Sequence, residues 1–266
     1  MELGLKGRRV LITGGSQGIG LAIAEGFLKE GCDVVLVARD PERLAKVGET
    51  LSKTAPGRVR TRAIDLARRG AAQEIADEFP DTDILVNNAG AIPTGDIFDI
   101  DEDRWREAWD LKVFGYINLS RAMYKHMKDR HMKGKPPKVI CNVIGTGANK
   151  PMFRYVCGNA ANIALNGLTQ SLGGRSIDDG IRVVAVNPGA VETERWRNIH
   201  SRRAQEKLGD ASRWREMLSG DQPEGRGARP DEIADVVVFL SSERASWVCG
   251  AVLPIDGGRL HRDNWF

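Results

Sequence analysis

The chain has 266 residues, a formal net charge of +3, 41% hydrophobic residues and four cysteines. That length suits one large domain or at most two, and no run approaches the ~20 apolar residues of a membrane span. The small positive charge speaks against a nucleic-acid partner. The first residues, Met1-Glu2-Leu3-Gly4-Leu5-Lys6-Gly7, hold no apolar core of signal-peptide length, so a cytoplasmic protein is expected. Cys32, Cys141, Cys157 and Cys249 are scattered without metal-like spacing, and free thiols and no metal are expected.

The first apolar run, Arg9-Val10-Leu11-Ile12, leads into Thr13-Gly14-Gly15-Ser16-Gln17-Gly18-Ile19-Gly20. Ile19, Ile23 and Phe27 follow at helical spacing. This reads as strand, glycine turn and helix. A helix N-terminus offers unpaired N–H groups and partial positive charge, so such a turn binds phosphate. Gly14 permits the sharp turn, Gly18 lets the backbone approach a pyrophosphate, and Gly20 lets the helix pack close to the strand. Further strands are predicted at 34–37, 59–64, 84–86, 139–143, 182–186 and 252–255. Helices are predicted over 41–53, 68–79, 102–129, 156–174 and 231–240. Short strands, apolar on both faces and alternating with helices, make an α/β fold. The expected architecture is Rossmann-type: a doubly wound, seven-stranded, mostly parallel sheet with helices on both faces, in a single dinucleotide-binding domain over 1–266. Residues 195–229 break the pattern with eight Arg, one Lys and five acidic residues, and with Trp196 and Trp214. They read either as a helical lid or as a solvated helix pair; a lid of that charge favours an anionic small-molecule substrate.

Five motifs in order resemble the short-chain dehydrogenase/reductase family over essentially the whole chain. They are the glycine turn 13–20, Asp65-Leu66, Asn87-Asn88-Ala89-Gly90, Asn187-Pro188-Gly189 with Thr193, and Asp256-Gly257-Gly258. The resemblance implies a nicotinamide cofactor held by Gly14, Ser16, Gln17, Gly18, Ile19 and Gly20. It implies that Asp65, beside Leu66, bonds the adenine amino group and that Asn88, Ala89 and Gly90 line the adenosine. Pro188, Gly189, Val191 and Thr193 would hold the nicotinamide amide and the diphosphate. A Pro-Gly turn at a strand end is expected to aim N–H groups outward. The residue ending the second strand discriminates between cofactors. An acid there would bond a ribose hydroxyl and repel a 2′-phosphate, but this chain has Ala38 and then Arg39. NADP is therefore expected, with NAD as the alternative if Asp40 takes the acid's role.

The family's reaction uses a tyrosine, a lysine four residues later, a serine and an asparagine. Aligned on Gly167-Leu168-Thr169, the tyrosine position holds Gly158, the lysine position Asn162, the serine position Gly145 and the asparagine position Lys112. Three readings stay open. The groups have migrated, with Tyr155, Lys112 and Thr146 as the catalytic set; Tyr155 would share a helix face with Gly158, and the buried cation would lower its pKa. Or another donor serves, such as His200 of the lid or the substrate itself. Or the protein is a catalytically inactive cofactor-binding subunit or regulator that partners an active paralogue. A homodimer or homotetramer through 102–129 and 156–174 is expected, with the aromatic end Asn264-Trp265-Phe266 docking on a neighbour.

Overall fold

The computed structural model describes residues 2–218 and 222–262. Seven strands form one sheet: β1 Arg9–Thr13, β2 Asp33–Ala38, β3 Val59–Ala63, β4 Ile84–Asn87, β5 Lys138–Val143, β6 Ile181–Pro188 and β7 Val252–Ile255. Their order is β3-β2-β1-β4-β5-β6-β7, and every pairing is parallel. The sheet is thus wholly rather than mostly parallel. Successive side chains point to opposite faces. Val10, Ile12, Val34 and Leu36 pack on one face with Ile23 and Phe27. Leu11, Val35, Val37 and Leu85 pack on the other with Ile75 and Leu119. Chain order reverses between β1 and β4, which opens the crevice where this topology binds ligands.

The helices are α1 Gly18–Lys29, α2 Pro41–Thr54, α3 Ala71–Glu78, α4 Glu102–Trp109, α5 Gly115–Asp129, α6 Val156–Gly173, α7 Glu194–Leu208 and α8 Pro230–Ser241. Two boundaries differ from the sequence reading for clear reasons. Gly70 takes φ +85 at the N-cap of α3, so the helix starts three residues late. The predicted helix 102–129 is interrupted by a π-helical turn, Asp110–Phe114, which joins α4 to α5. Within 195–229, α7 runs into a 3₁₀ stretch at Ala211–Met217, and Trp196 meets Trp214 edge-on with ring centroids 5.5 Å apart. Residues 219–221 of that segment, and the aromatic end Asn264-Trp265-Phe266, lie outside the described residues.

Buried polar side chains fix the helices behind the crevice. Asn87 Nδ2 donates to Asn142 Oδ1 at 2.9 Å and to Ser120 Oγ at 3.0 Å, and Asn142 Nδ2 donates to Thr169 Oγ1 at 2.9 Å. This ties β4 and β5 to α5 and α6. Arg182, on β6, is buried in the core. Its guanidinium donates to Leu240 O at 2.8 Å, Ser242 O at 3.0 Å and Val248 O at 3.3 Å, which satisfies carbonyls at the end of α8 and in the loop after it. Burial pushes its pKa down to about 10. All four cysteines are free.

Candidate active site

The glycine turn lies at the end of β1, and its glycines are sterically required. Gly14 adopts φ +66, and a Cβ there would come within 2.9 Å of Asn88 Nδ2 and 3.1 Å of Ala89 Cα. A Cβ on Gly20 would stand 2.3 Å from Gly14 O, so the first turn of α1 lies directly on the loop. Gly18 faces Thr193, whose Cγ2 is 3.2 Å from where a Cβ would project. Gln17 is the N-cap of α1 but supplies no capping hydrogen bond, and the first turn, including Ile19, carries no acid. Free N–H groups in a cradle open only to glycine fit a dinucleotide diphosphate. Ser16 is buried within the turn. Thr193 caps α7 by accepting from Trp196 N at 3.3 Å, so the N-termini of α1 and α7 meet across Gly18.

Some predicted contacts are committed elsewhere. Asn88 Nδ2 donates to Thr13 O and Gly14 O at 3.0 and 3.3 Å, and Ala89 N donates to Thr13 Oγ1 at 3.0 Å. Both residues therefore lock the turn. Gly90 approaches the Lys112 stem, with Cδ 3.1 Å from a built Cβ. The Pro188-Gly189 turn does not aim its amide outward, because Gly189 N bonds Ile255 O of β7 at 2.9 Å. Val191 bridges to Ala228.

Arg39, Asp65, Ala67, Ile92, Arg104 and Arg195 line a cavity of about 280 Å³. Leu66 is buried beside it. A larger cavity of about 480 Å³, outside α4, holds none of the candidate cofactor or catalytic residues. Asp40 caps α2 by accepting from Arg43 N at 3.0 Å. Arg43 in turn donates to Gln17 Oε1. This ties the first turn of α2 to the residue that caps α1. The sequence reading missed Arg43; its place in the first turn of the helix after β2 was the available signal.

The candidate catalytic residues converge, although not as the sequence reading expects. Tyr155 is the N-cap of α6 rather than part of its first turn. Its ring nonetheless covers Gly158: a Cβ there would lie 2.1 Å from Tyr155 Cζ. The ring therefore fills the volume that any side chain at 158 would need. Lys112, in the π-helical turn, is 7% exposed. Its Nζ donates to Asn162 Oδ1 and Ile144 O, both at 2.8 Å. Asn162 Nδ2 reaches Gly145 O at 3.4 Å. Burial pushes the Lys112 pKa down to about 8, with Arg195 acting in the same direction. The Tyr155 phenol is raised above its ordinary value by burial; the cation that opposes the rise is Arg195 and not Lys112. The expected lowering of this phenol by Lys112 is thus reversed. Thr146 follows Gly145 at the end of β5 and opens a short 3₁₀ turn. Asn159, in the first turn of α6, has a buried Oδ1 with no donor among the described residues. The His200 ring lies tilted against Trp196 with centroids 4.3 Å apart and bonds Trp196 O at 2.9 Å, so both contacts stay within α7.

No group of His, Cys, Asp and Glu among the described residues is arranged to hold a metal, and no described helix is long and apolar enough to cross a membrane. The family model described as enoyl-(acyl carrier protein) reductase matches residues 14–259. The chain is 32% identical over 259 residues to galactitol 2-dehydrogenase (L-tagatose-forming) of Cereibacter sphaeroides, covering 96% of this chain and 95% of that protein. It is 29% identical over 258 residues to 3-oxoacyl-(acyl-carrier-protein) reductase of Salmonella typhimurium, covering 96% and 98%. Its fold is similar to that of L-sorbose reductase from Gluconobacter frateurii complexed with NADPH and L-sorbose. There the TM-score is 0.91 at 32% identity, over 99% of this chain and all of that one. With the switch-point crevice, the glycine turn and these relatives together, the chain belongs to the short-chain dehydrogenase/reductase family of oxidoreductases.

Proposed function

We propose that this protein is an NADP-linked reductase of a small polar carbonyl compound, with Tyr155 as proton donor in an active site whose usual tetrad is replaced. The observation that carries the reading is the Tyr155 ring over Gly158, in the space a side chain at 158 would fill. A second observation supports it. Lys112 and Asn162 stand at the positions where the family pattern has asparagine and lysine respectively, and they bond each other. The two residue types have exchanged places while the ammonium–amide pair is kept.

When bound, NADPH supplies a hydride to the carbonyl carbon. The N-terminus of α1 would hold its diphosphate, Asp65 its adenine, and Arg39 with Arg43 its 2′-phosphate. Tyr155 O–H gives its proton to the carbonyl oxygen, which completes the alcohol. Burial opposes ionisation of this phenol, and Arg195 acts in the direction that favours proton release. Thr146, at the end of β5, would orient the oxygen. The buried Lys112 ammonium adds positive potential as the oxygen gains charge. Relatives acting on galactitol and L-sorbose favour a ketose–polyol pair as the neutral substrate frame. Assembly as a homodimer or homotetramer would use the outer faces of α5 and α6, beside Phe114 and Ile163, which are 48% and 50% exposed; light scattering reads it directly.

The test is NADPH consumption with a panel of ketoses and oxo acids, for wild type and Tyr155→Phe. The variant should lose roughly 10²- to 10⁴-fold in kcat with NADPH affinity unchanged. Full activity in Tyr155→Phe, or no turnover by wild type across the panel, overturns the reading.

A further inference from the structure

A strongly charged cavity lies at the end of the sheet away from the crevice. The crevice opens at the carboxyl ends of the strands, so their N-terminal ends share the opposite edge. Lys6 and Arg8 precede β1, Asp83 precedes β4, and Lys138 opens β5. With Arg130 and Lys135 from the segment after α5, they line a cavity of about 280 Å³. Its lining thus carries five cations and one carboxylate. That surplus of four exceeds the +3 of the whole chain, so the remainder of the molecule is on balance slightly acidic. The carboxylate is already engaged. Asp83 Oδ2 accepts from Arg9 N at 3.0 Å, and Oδ1 accepts from Lys138 Nζ at 2.6 Å and Arg130 Nη2 at 3.2 Å. Lys6, Arg8 and Lys135 bond no carboxylate among the described residues. Arg8 is partly buried, and its Nη2 donates to a carbonyl, Pro137 O, at 2.8 Å. Burial pushes the Arg8 pKa down, with Asp83 and Glu243 opposing through space. Lys6 and Lys135 are exposed, so a ligand can reach them from solvent.

We propose that this cavity is a binding site for a phosphate-class anion of two or more negative charges, such as a pyrophosphate group, separate from the cofactor crevice. Three cations without a bonded carboxylate call for more than one negative charge. A carboxylate brings one charge and two oxygens, whereas a phosphoryl group brings close to two charges and three strong acceptors. Arg8 offers a planar fork with donors to spare, and the two lysines are point charges on flexible stems. Partial burial of the guanidinium lessens the screening that weakens ion pairs on an open surface. A bound anion would join the segment before β1 to the segment between α5 and β5, and would stabilise the native protein by mass action. Free pyrophosphate and the phosphates of a nucleotide share this chemistry.

The test is a calorimetric titration of sodium pyrophosphate into protein saturated with NADPH, which fills the phosphate sites of the crevice. Wild type should bind one pyrophosphate per chain and melt at a higher temperature in its presence. Lys6→Gln combined with Lys135→Gln removes two exposed charges that bond no side chain among the described residues. It should weaken pyrophosphate binding roughly ten- to hundredfold and leave the NADPH Kd and the circular dichroism unchanged. Lys6→Arg combined with Lys135→Arg keeps both charges and should keep the binding. ADP in place of pyrophosphate separates the two sources. Tighter binding of ADP assigns the site to a nucleotide, and equal or weaker binding assigns it to the free anion; either upholds the cavity if the doubly neutralised protein loses it. No binding by wild type at roughly millimolar pyrophosphate overturns the proposal. So does equal binding by the doubly neutralised protein. So does complete displacement by chloride at physiological ionic strength, which marks a diffuse counter-ion cloud and not a site.

Discussion

Replacing Lys112 with methionine should remove an alkaline rise in stability. In the unfolded chain this lysine titrates near 10.5, and in the native protein burial brings it to about 8. Between those values the unfolded chain holds a proton that the native protein has released, so stability increases with pH. A gap of about 2.5 pH units at about 1.36 kcal/mol each comes to about 3 kcal/mol. The cost of burying the ammonium is fully present below about pH 8 and gone above about 10.5. Methionine carries no such proton. It also leaves Ile144 O and Asn162 Oδ1 without their shared donor, at about 1–3 kcal/mol each, nearly independent of pH. Urea denaturation of both proteins from about pH 7 to about pH 11 isolates the titrating part, because every other group cancels in the difference. The wild-type advantage should grow by about 3 kcal/mol across the interval. Two curves that stay parallel would show that the native lysine does not titrate there, and the case for a buried, uncompensated ammonium would fail.

Three further outcomes are expected. Gly158→Ala places a methyl group 2.1 Å from Tyr155 Cζ, so the ring must leave; NADPH turnover should fall as far as in Tyr155→Phe, with circular dichroism unchanged, and retained turnover would refute the placement. Arg39→Ala and Arg43→Ala should each weaken NADPH binding roughly ten- to hundredfold without weakening NADH binding; equal losses for both cofactors in a fluorescence titration would remove these residues from the 2′-phosphate. Asn162→Lys puts a second ammonium beside Lys112 and should lower the melting temperature. Lys112→Asn combined with Asn162→Lys should restore it, whereas a double variant no better than the sum of the singles would disprove the exchange.

The sheet was legible because most of its strands are short and apolar; β3, Val-Arg-Thr-Arg-Ala, is the exception. The pattern 34–37 reappears as Asp33–Ala38, and 252–255 as Val252–Ile255. What escaped the sequence was local geometry set by tertiary partners. Apolar spacing continues through 110–114, so nothing in the pattern marks the π-helical turn that holds Lys112. Asn88 has the same letter whether it faces a ligand or bonds Thr13 O, and only the packed turn decides. Arg43 meets Gln17, 26 positions earlier in the chain. Tyr155 reaches Gly158 from an N-cap conformation with φ −144, which helical spacing alone does not describe. The sequence suggested which residues belong near the site, and neighbours distant in the chain set where their polar atoms point.

Arg182 gives the C-terminal part of the chain a role beyond covering the sheet. Its three acceptors come from 240, 242 and 248, on the last helix and the loop after it. If that segment detached, all three of these hydrogen bonds would break together and β6 would become the edge of the sheet. Sub-global opening of α8 and β7 is therefore suppressed, and these elements belong to the same cooperative unit as β6. In native-state hydrogen exchange, the amides of α8 should share the opening free energy of the central strands and not that of a frayed end. Any shortened form ending before Ser242 would then fail as a whole domain and not merely lose its last helix.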